Sequence, residues 1–125
     1  MKRALLSLLV IIFLSSVASA QKMAADSMML TIFLKHQEDK NLKEINARLA
    51  ANGYNQQFPP KYARVVSWYV LMGIGQVVTL KFPASRLRDV NLIFENTAWG
   101  AFTTEFYPTY DYMPVWKQSQ QNKNQ

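Results

Sequence analysis

Lys35, Tyr69 and Glu105 are the polar residues of this chain best suited by type to grip a ligand or move a proton together. A carboxylate beside a lysine, both drawn out of water, shifts the ionisation of each and suits polar recognition or acid–base work. His36, the single histidine, has the ionisation range of a general base near neutral pH. Its position also suits a plain continuation of strand into the Gln37-Glu38 loop. These four are the candidate catalytic residues. Asp111 is a further acid candidate in an aromatic, proline-broken arm containing Tyr107, Tyr110, Tyr112 and Trp116.

Other patterns exclude chemistry. Gly73-Ile74-Gly75 lies between two β-prone runs and opens no helix, so it reads as a hairpin turn and not a phosphate cradle. Met23, Met28 and Met29 with His36 offer soft ligands for copper, but without a repeated Met-x-Met pattern they read as leader and core residues. Zinc needs several Cys or His, and the chain has no cysteine and one histidine. No metal or cofactor is expected.

The elements that must position these residues follow from periodicity. Met28–Lys35 is an apolar, β-prone first strand. Lys40–Ala51 carries Leu42, Ile45 and Leu49 on one helical stripe, with Asn41 and Glu44 spaced as a capping box and Asn52-Gly53 as the stop. Tyr54–Lys61, with Pro59-Pro60, reads as a loop. Arg64–Met72 and Gln76–Phe82 form a hairpin. Pro83 opens a helix bearing Leu87, Val90 and Phe94 and ending near Ala98-Trp99-Gly100. Ala101–Tyr107 is a fourth strand stopped by Pro108. Lys117–Gln125, lacking any apolar residue, is expected to be disordered.

This order, β-α-β-β-α-β, predicts an α+β fold, a ferredoxin-like sandwich with both helices on one face of a four-stranded antiparallel sheet. Alternation assigns the faces. Leu30, Ile32 and Leu34 should meet the helices with Val66, Trp68 and Val70, with Val78, Leu80 and Phe82, and with Phe102 and Phe106. The bare face should carry Thr31, Phe33, Lys35, Ser67, Tyr69 and Leu71, then Val77, Thr79 and Lys81, and finally Thr103, Glu105 and Tyr107. Thr31, Phe33, Tyr69, Thr103 and Tyr107 are the candidate ligand-binding residues there, for a small apolar or aromatic ligand. A bare face of this mixed character suits cover by a second subunit, which would close a dimeric α+β barrel around a cavity. A homodimer is expected.

The N-terminus carries its own message. Lys2-Arg3 precedes an apolar run from Ala4 to Val17 and then Ala18-Ser19-Ala20, the layout of a cleavable signal peptide. The run falls short of the about 20 residues that a bilayer span requires. The expected organisation is a signal peptide at 1–20, a flexible leader at 21–27, the ferredoxin-like domain at 28–116 and the tail at 117–125. No stable membrane span is expected after cleavage. Removing Lys2 and Arg3 from 14 basic residues leaves 12 against 8 acidic ones, a net charge of +4. With no basic stripe, nucleic acid is not an expected partner. An exported chain without cysteine has no disulfide to hold it and depends on its core. A periplasmic or secreted location follows as the expectation.

The stretch Ser67-Trp68-Tyr69-Val70-Leu71-Met72-Gly73-Ile74-Gly75-Gln76 through Pro83 resembles the hairpin of GYD-domain proteins, with an aromatic-rich strand, a glycine turn, a β-rich strand and a closing proline. The following helix and the Trp99-Gly100 to Phe106 strand look similar to the same family, although Gly73-Ile74-Gly75 stands where that family has Gly-Tyr-Asp. The resemblance implies the wider group of dimeric α+β barrels, which spans stress-responsive proteins, cofactor-free monooxygenases, lactone isomerases and polyketide cyclases, so the fold does not dictate the chemistry. Three functions remain open: small-ligand binding or a stress-associated role in the cell envelope; a cofactor-free monooxygenase, isomerase or cyclase acting on a small aromatic or polyketide-like substrate; and a purely structural assembly module. Mass spectrometry of the protein recovered after export should give a mass lacking residues 1–20; an intact Met1 would overturn the signal-peptide reading.

Overall fold

The computed structural model describes residues 26–123. The signal-peptide segment and most of the leader lie outside the described residues. Ser27 does not: it already pairs in the first strand, and the carbonyl of Asp26 accepts from Ala84 N at 2.8 Å. Four strands, β1 (Ser27–His36), β2 (Arg64–Leu71), β3 (Gly75–Pro83) and β4 (Phe102–Thr109), form one sheet in the order β2-β3-β1-β4. Every neighbouring pair is antiparallel. Helix α1 (Leu42–Ala51) joins β1 to β2, and α3 (Leu87–Thr97) joins β3 to β4. This is the α+β, ferredoxin-like arrangement expected from the element order.

Local chemistry explains the helix ends. Asn41 Oδ1 accepts from Glu44 N at 3.0 Å, while Glu44 Oε2 accepts from Asn41 N at 2.8 Å, closing a reciprocal capping box at the start of α1. Gly53, at φ +74°, then takes the left-handed turn that stops the helix. Asn52 Nδ2 donates to Thr97 O at 3.2 Å, tying the ends of α1 and α3 together.

The core lies between the helices and one sheet face. Leu30, Ile32 and Leu34 of β1 and Val78, Leu80 and Phe82 of β3 are buried with Ile45 and Leu49 of α1 and Val90 and Phe94 of α3. Burying one such large apolar side chain is worth about 1.5–3 kcal/mol. The Tyr54–Lys61 stretch, expected as a plain loop, instead contains a short helix, α2 (Tyr54–Gln57). Its Tyr54 and the following Phe58 are both buried, stacked at 5.2 Å, with Phe58 4.9 Å from Phe94. This segment closes one side of the core.

Several strand assignments need correction. The ladder of β2 and β3 slips between Val65 and Ser67, a β-bulge. It puts Val65 opposite Leu80 and turns Val66 to the bare face, reversing the alternation assumed for the start of β2. Trp68 and Val70 keep the helix side but stay exposed, because β2 is a sheet edge. Pro108 does not stop β4; it pairs opposite Leu30 and the strand runs on to Thr109. An edge strand tolerates a residue without an N–H. Pro83 ends β3, and a 3-10 turn (Ala84–Arg86) precedes α3. Leu87 and Leu42, placed on the apolar stripes by spacing, are exposed at the first turns of their helices. Residues 117–123, expected to be unstructured, continue a helix, α4 (Met113–Lys123), which has no buried residue.

Gly75 shows why the hairpin needs glycine. It sits at φ +150°, and a Cβ there would lie 2.0 Å from Leu34 O. The central strand could not approach a bulkier residue. Truncation at the core centre tests the packing: Phe94→Ala should cost about 3–5 kcal/mol, read as a lower urea midpoint at unchanged slope.

Candidate functional site

The bare sheet face is laid out by register. One row across the sheet is Tyr69–Val77–Phe33–Glu105 and the next is Ser67–Thr79–Thr31–Tyr107. Lys35 and Thr103 face each other beyond Phe33 and Glu105. The expected membership of this face therefore holds for every residue named from β1, β3 and β4.

Towards its hairpin end Lys35 Nζ is paired with Glu105 Oε1. The second carboxylate oxygen accepts from Tyr107 Oη at 2.9 Å. The Tyr107 ring meets Phe33 edge-on, with centroids 5.8 Å apart. A hydroxyl chain adjoins this group: Thr31 Oγ1 lies 3.0 Å from Thr79 Oγ1 and 2.7 Å from Thr109 Oγ1, and Thr109 Oγ1 donates to Tyr107 O at 2.8 Å. Thr103 accepts from Gln37 Nε2 at 3.0 Å.

The ionisation of the three linked groups is coupled. The hydrogen bond from Lys35, then that from Tyr107, holds the Glu105 carboxyl below its ordinary value. The same contacts raise Lys35 and Tyr107, each first through its hydrogen bond to Glu105. All three shifts lock in the forms present at neutral pH: lysinium, carboxylate and phenol. A carboxylate so held is a weakened base, and the lysine a weakened acid. The Lys35 and Glu105 side chains remain 42% and 37% exposed, so water screens the pair.

The remaining candidates fall elsewhere. Tyr69 shares a row with Phe33 and Glu105 but sits two strands from Phe33, with 65% exposure. His36 turns to the helix side, opposite Phe102 in register and stacked on its ring at 5.6 Å. Its Nε2 is buried without a hydrogen-bond partner, so His36 does not join Lys35 and Glu105 directly. Met28 packs on the core while Met29 looks onto the opposite face; Met23 lies outside the described residues. Asp111 caps α4, its Oδ1 accepting from Met113 N at 2.9 Å.

Open clefts adjoin the sheet among the described residues, three of them beside residues named above or close to them. One of about 370 Å3 includes Lys35, His36, Gly73 and Thr103 at the hairpin end. Another, about 330 Å3, lies by Gln37, Trp99 and Thr104. The third, about 430 Å3, occupies the far end of the bare face beside Arg64, Lys81 and Tyr110–Tyr112. Arg64 is the residue that sequence reasoning missed, since unbroken alternation turns it to the helix side and only the bulge at Val66 brings it here. Among the described residues no helix is long and apolar enough to cross a membrane, and no three acidic or histidine side chains cluster as metal ligands. No protein-family model and no curated protein matches the chain.

The coupling has a direct readout. In an NMR titration the Glu105 carboxyl should show a midpoint below the ordinary 4.5, moving up towards it in Lys35→Met. An unmoved midpoint would mean the pair is absent in solution. Stability follows the same signs: the contribution of Glu105 is present at neutral pH and lost as pH falls through its lowered midpoint, whereas that of Lys35 is lost only as pH rises through its raised one.

Proposed function

We propose that this protein is an exported, small-ligand-binding domain of the cell envelope, acting as a homodimer whose bare sheet faces meet around the ligand. The carrying observation is the hydrogen-bonded Lys35–Glu105–Tyr107 group beside Phe33 on the sheet face opposite the core. It supplies charged and polar contacts next to an aromatic surface, the mixture that orients a small aromatic ligand. Tyr69 and Tyr107, 65% and 50% exposed, add amphipathic area suited to an interface.

Binding is preferred to catalysis on the direction of the ionisation shifts. They push Glu105 and Lys35 away from neutral pH, whereas a working general base or acid is drawn towards it. A cofactor-free isomerase, monooxygenase or cyclase in the same cavity would have to take its proton-transfer group from elsewhere. The export half of the proposal rests on Lys2-Arg3, the Ala4–Val17 run and Ala18-Ser19-Ala20. A cut after Ala20 spares every residue of the sheet. The GYD-like hairpin from Ser67 to Pro83 supports kinship with the dimeric α+β barrels.

Native mass spectrometry of protein recovered gently from the envelope fraction tests the reading. The expected species is a dimer carrying extra small-molecule mass, converted by Tyr69→Asp or Phe33→Asp into folded monomer without it. A wild-type monomer would overturn the dimer, and a dimer that never retains or binds a small molecule would leave assembly alone as the role.

A further inference from the structure

The far end of the bare face holds a feature separate from Lys35 and Glu105. Arg64 and Lys81 are direct partners across the β2–β3 ladder. Side chains at such positions stand about 4.5–5.5 Å apart at Cβ, and like charges placed so repel. Among the described residues neither forms an ion pair; the salt bridges are Lys35–Glu105, Lys40–Asp39 and Arg86–Asp89. The bulge between Val65 and Ser67 is what brings Arg64 to this side. Two cations are thus set side by side at a local departure from regular strand geometry, with no acid bridging them.

Both cations line the groove of about 430 Å3, together with Thr79 and Thr109 and the arm Tyr110–Tyr112. The Thr79 and Thr109 hydroxyls are each held by Thr31. Tyr110 and Tyr112 are 77% and 57% exposed, leaving their rings available as walls for a flat apolar body. Asp111 is the sole acid in the lining, and one of its oxygens is taken by the Met113 amide. Two positive charges against one negative leave the groove at +1.

We propose that this groove binds a small aromatic carboxylate, its anion held by Arg64 and Lys81 and its ring between the arm tyrosines. The arginine fork matches a carboxylate's two oxygens. A net +1 balances one negative charge, which favours a monoanionic carboxylate over a doubly charged phosphate. Every lining residue belongs to one chain, so a monomer carries the whole site, and the dimer proposed above would have to leave this end of the shared face open.

The test is a chemical-shift titration of the purified protein with benzoate, benzamide and inorganic phosphate. Benzoate should give saturable shifts at the amides of Thr79, Lys81 and Thr109. Arg64→Gln and Lys81→Gln should each weaken it about tenfold, the scale of one charge-assisted contact. Benzamide should bind about tenfold more weakly, and Asp111→Asn should tighten benzoate. Should either cation variant fail to fold, the other carries the comparison. No saturation by about 10 mM benzoate, equal affinity for benzamide, or tighter binding of phosphate would each overturn the proposal.

Discussion

The register of β1 is the constraint on which the rest of the structure depends. It is a central strand, paired with β3 on one side and β4 on the other along nearly its whole length. Leu30, Ile32 and Leu34 are 2% exposed or less, so one edge of the alternation belongs wholly to the core. A slip by one residue would expose all three and bury Thr31, Phe33 and Lys35 among apolar helices, costing several side chains' burial at once. That penalty fixes the opposite set as well. Thr31, Phe33 and Lys35 face outward because their neighbours cannot.

The polar organisation of the bare face follows from this register. Lys35, Glu105 and Tyr107 come from two strands far apart in sequence, and the antiparallel pairing of β1 with β4 sets them in neighbouring rows. Their mutual hydrogen bonds satisfy groups that would otherwise lose solvent if anything covered the face. Half-exposed as it stands, the group contributes little to folding. Desolvation by a ligand or a second subunit would strengthen its electrostatics without requiring it to rearrange. A prearranged polar group that is still partly exposed suits recognition better than stability.

The groove at the other end depends on an irregularity. Regular alternation along β2 would send Arg64 to the helix side, away from Lys81. The bulge at Val66 places it beside Lys81 instead. The segment after β4 contributes to the groove's lining, because the strand continues through Pro108 to Thr109 and Tyr110–Tyr112 follow it.

Much was already determined by the sequence itself. The period-two runs of β1 and β3 named their inner and outer residues, since a strand buried on one face leaves apolar side chains no other place. Asn41, Glu44 and Gly53 marked the ends of α1 through contacts within a few residues, which need no tertiary partner. The tertiary structure alone decided the bulge at Val66, the continuation of β4 through Pro108 and the burial of Tyr54 and Phe58. Each depends on what lies across from it: a slipped partner strand, an edge without a ladder to break, and a cluster of rings centred on Phe94. It also decided that Lys35 meets Glu105 while His36, one residue on, does not. Adjacent residues of a strand point to opposite faces, and the β1–β4 pairing determines which of them finds a carboxylate.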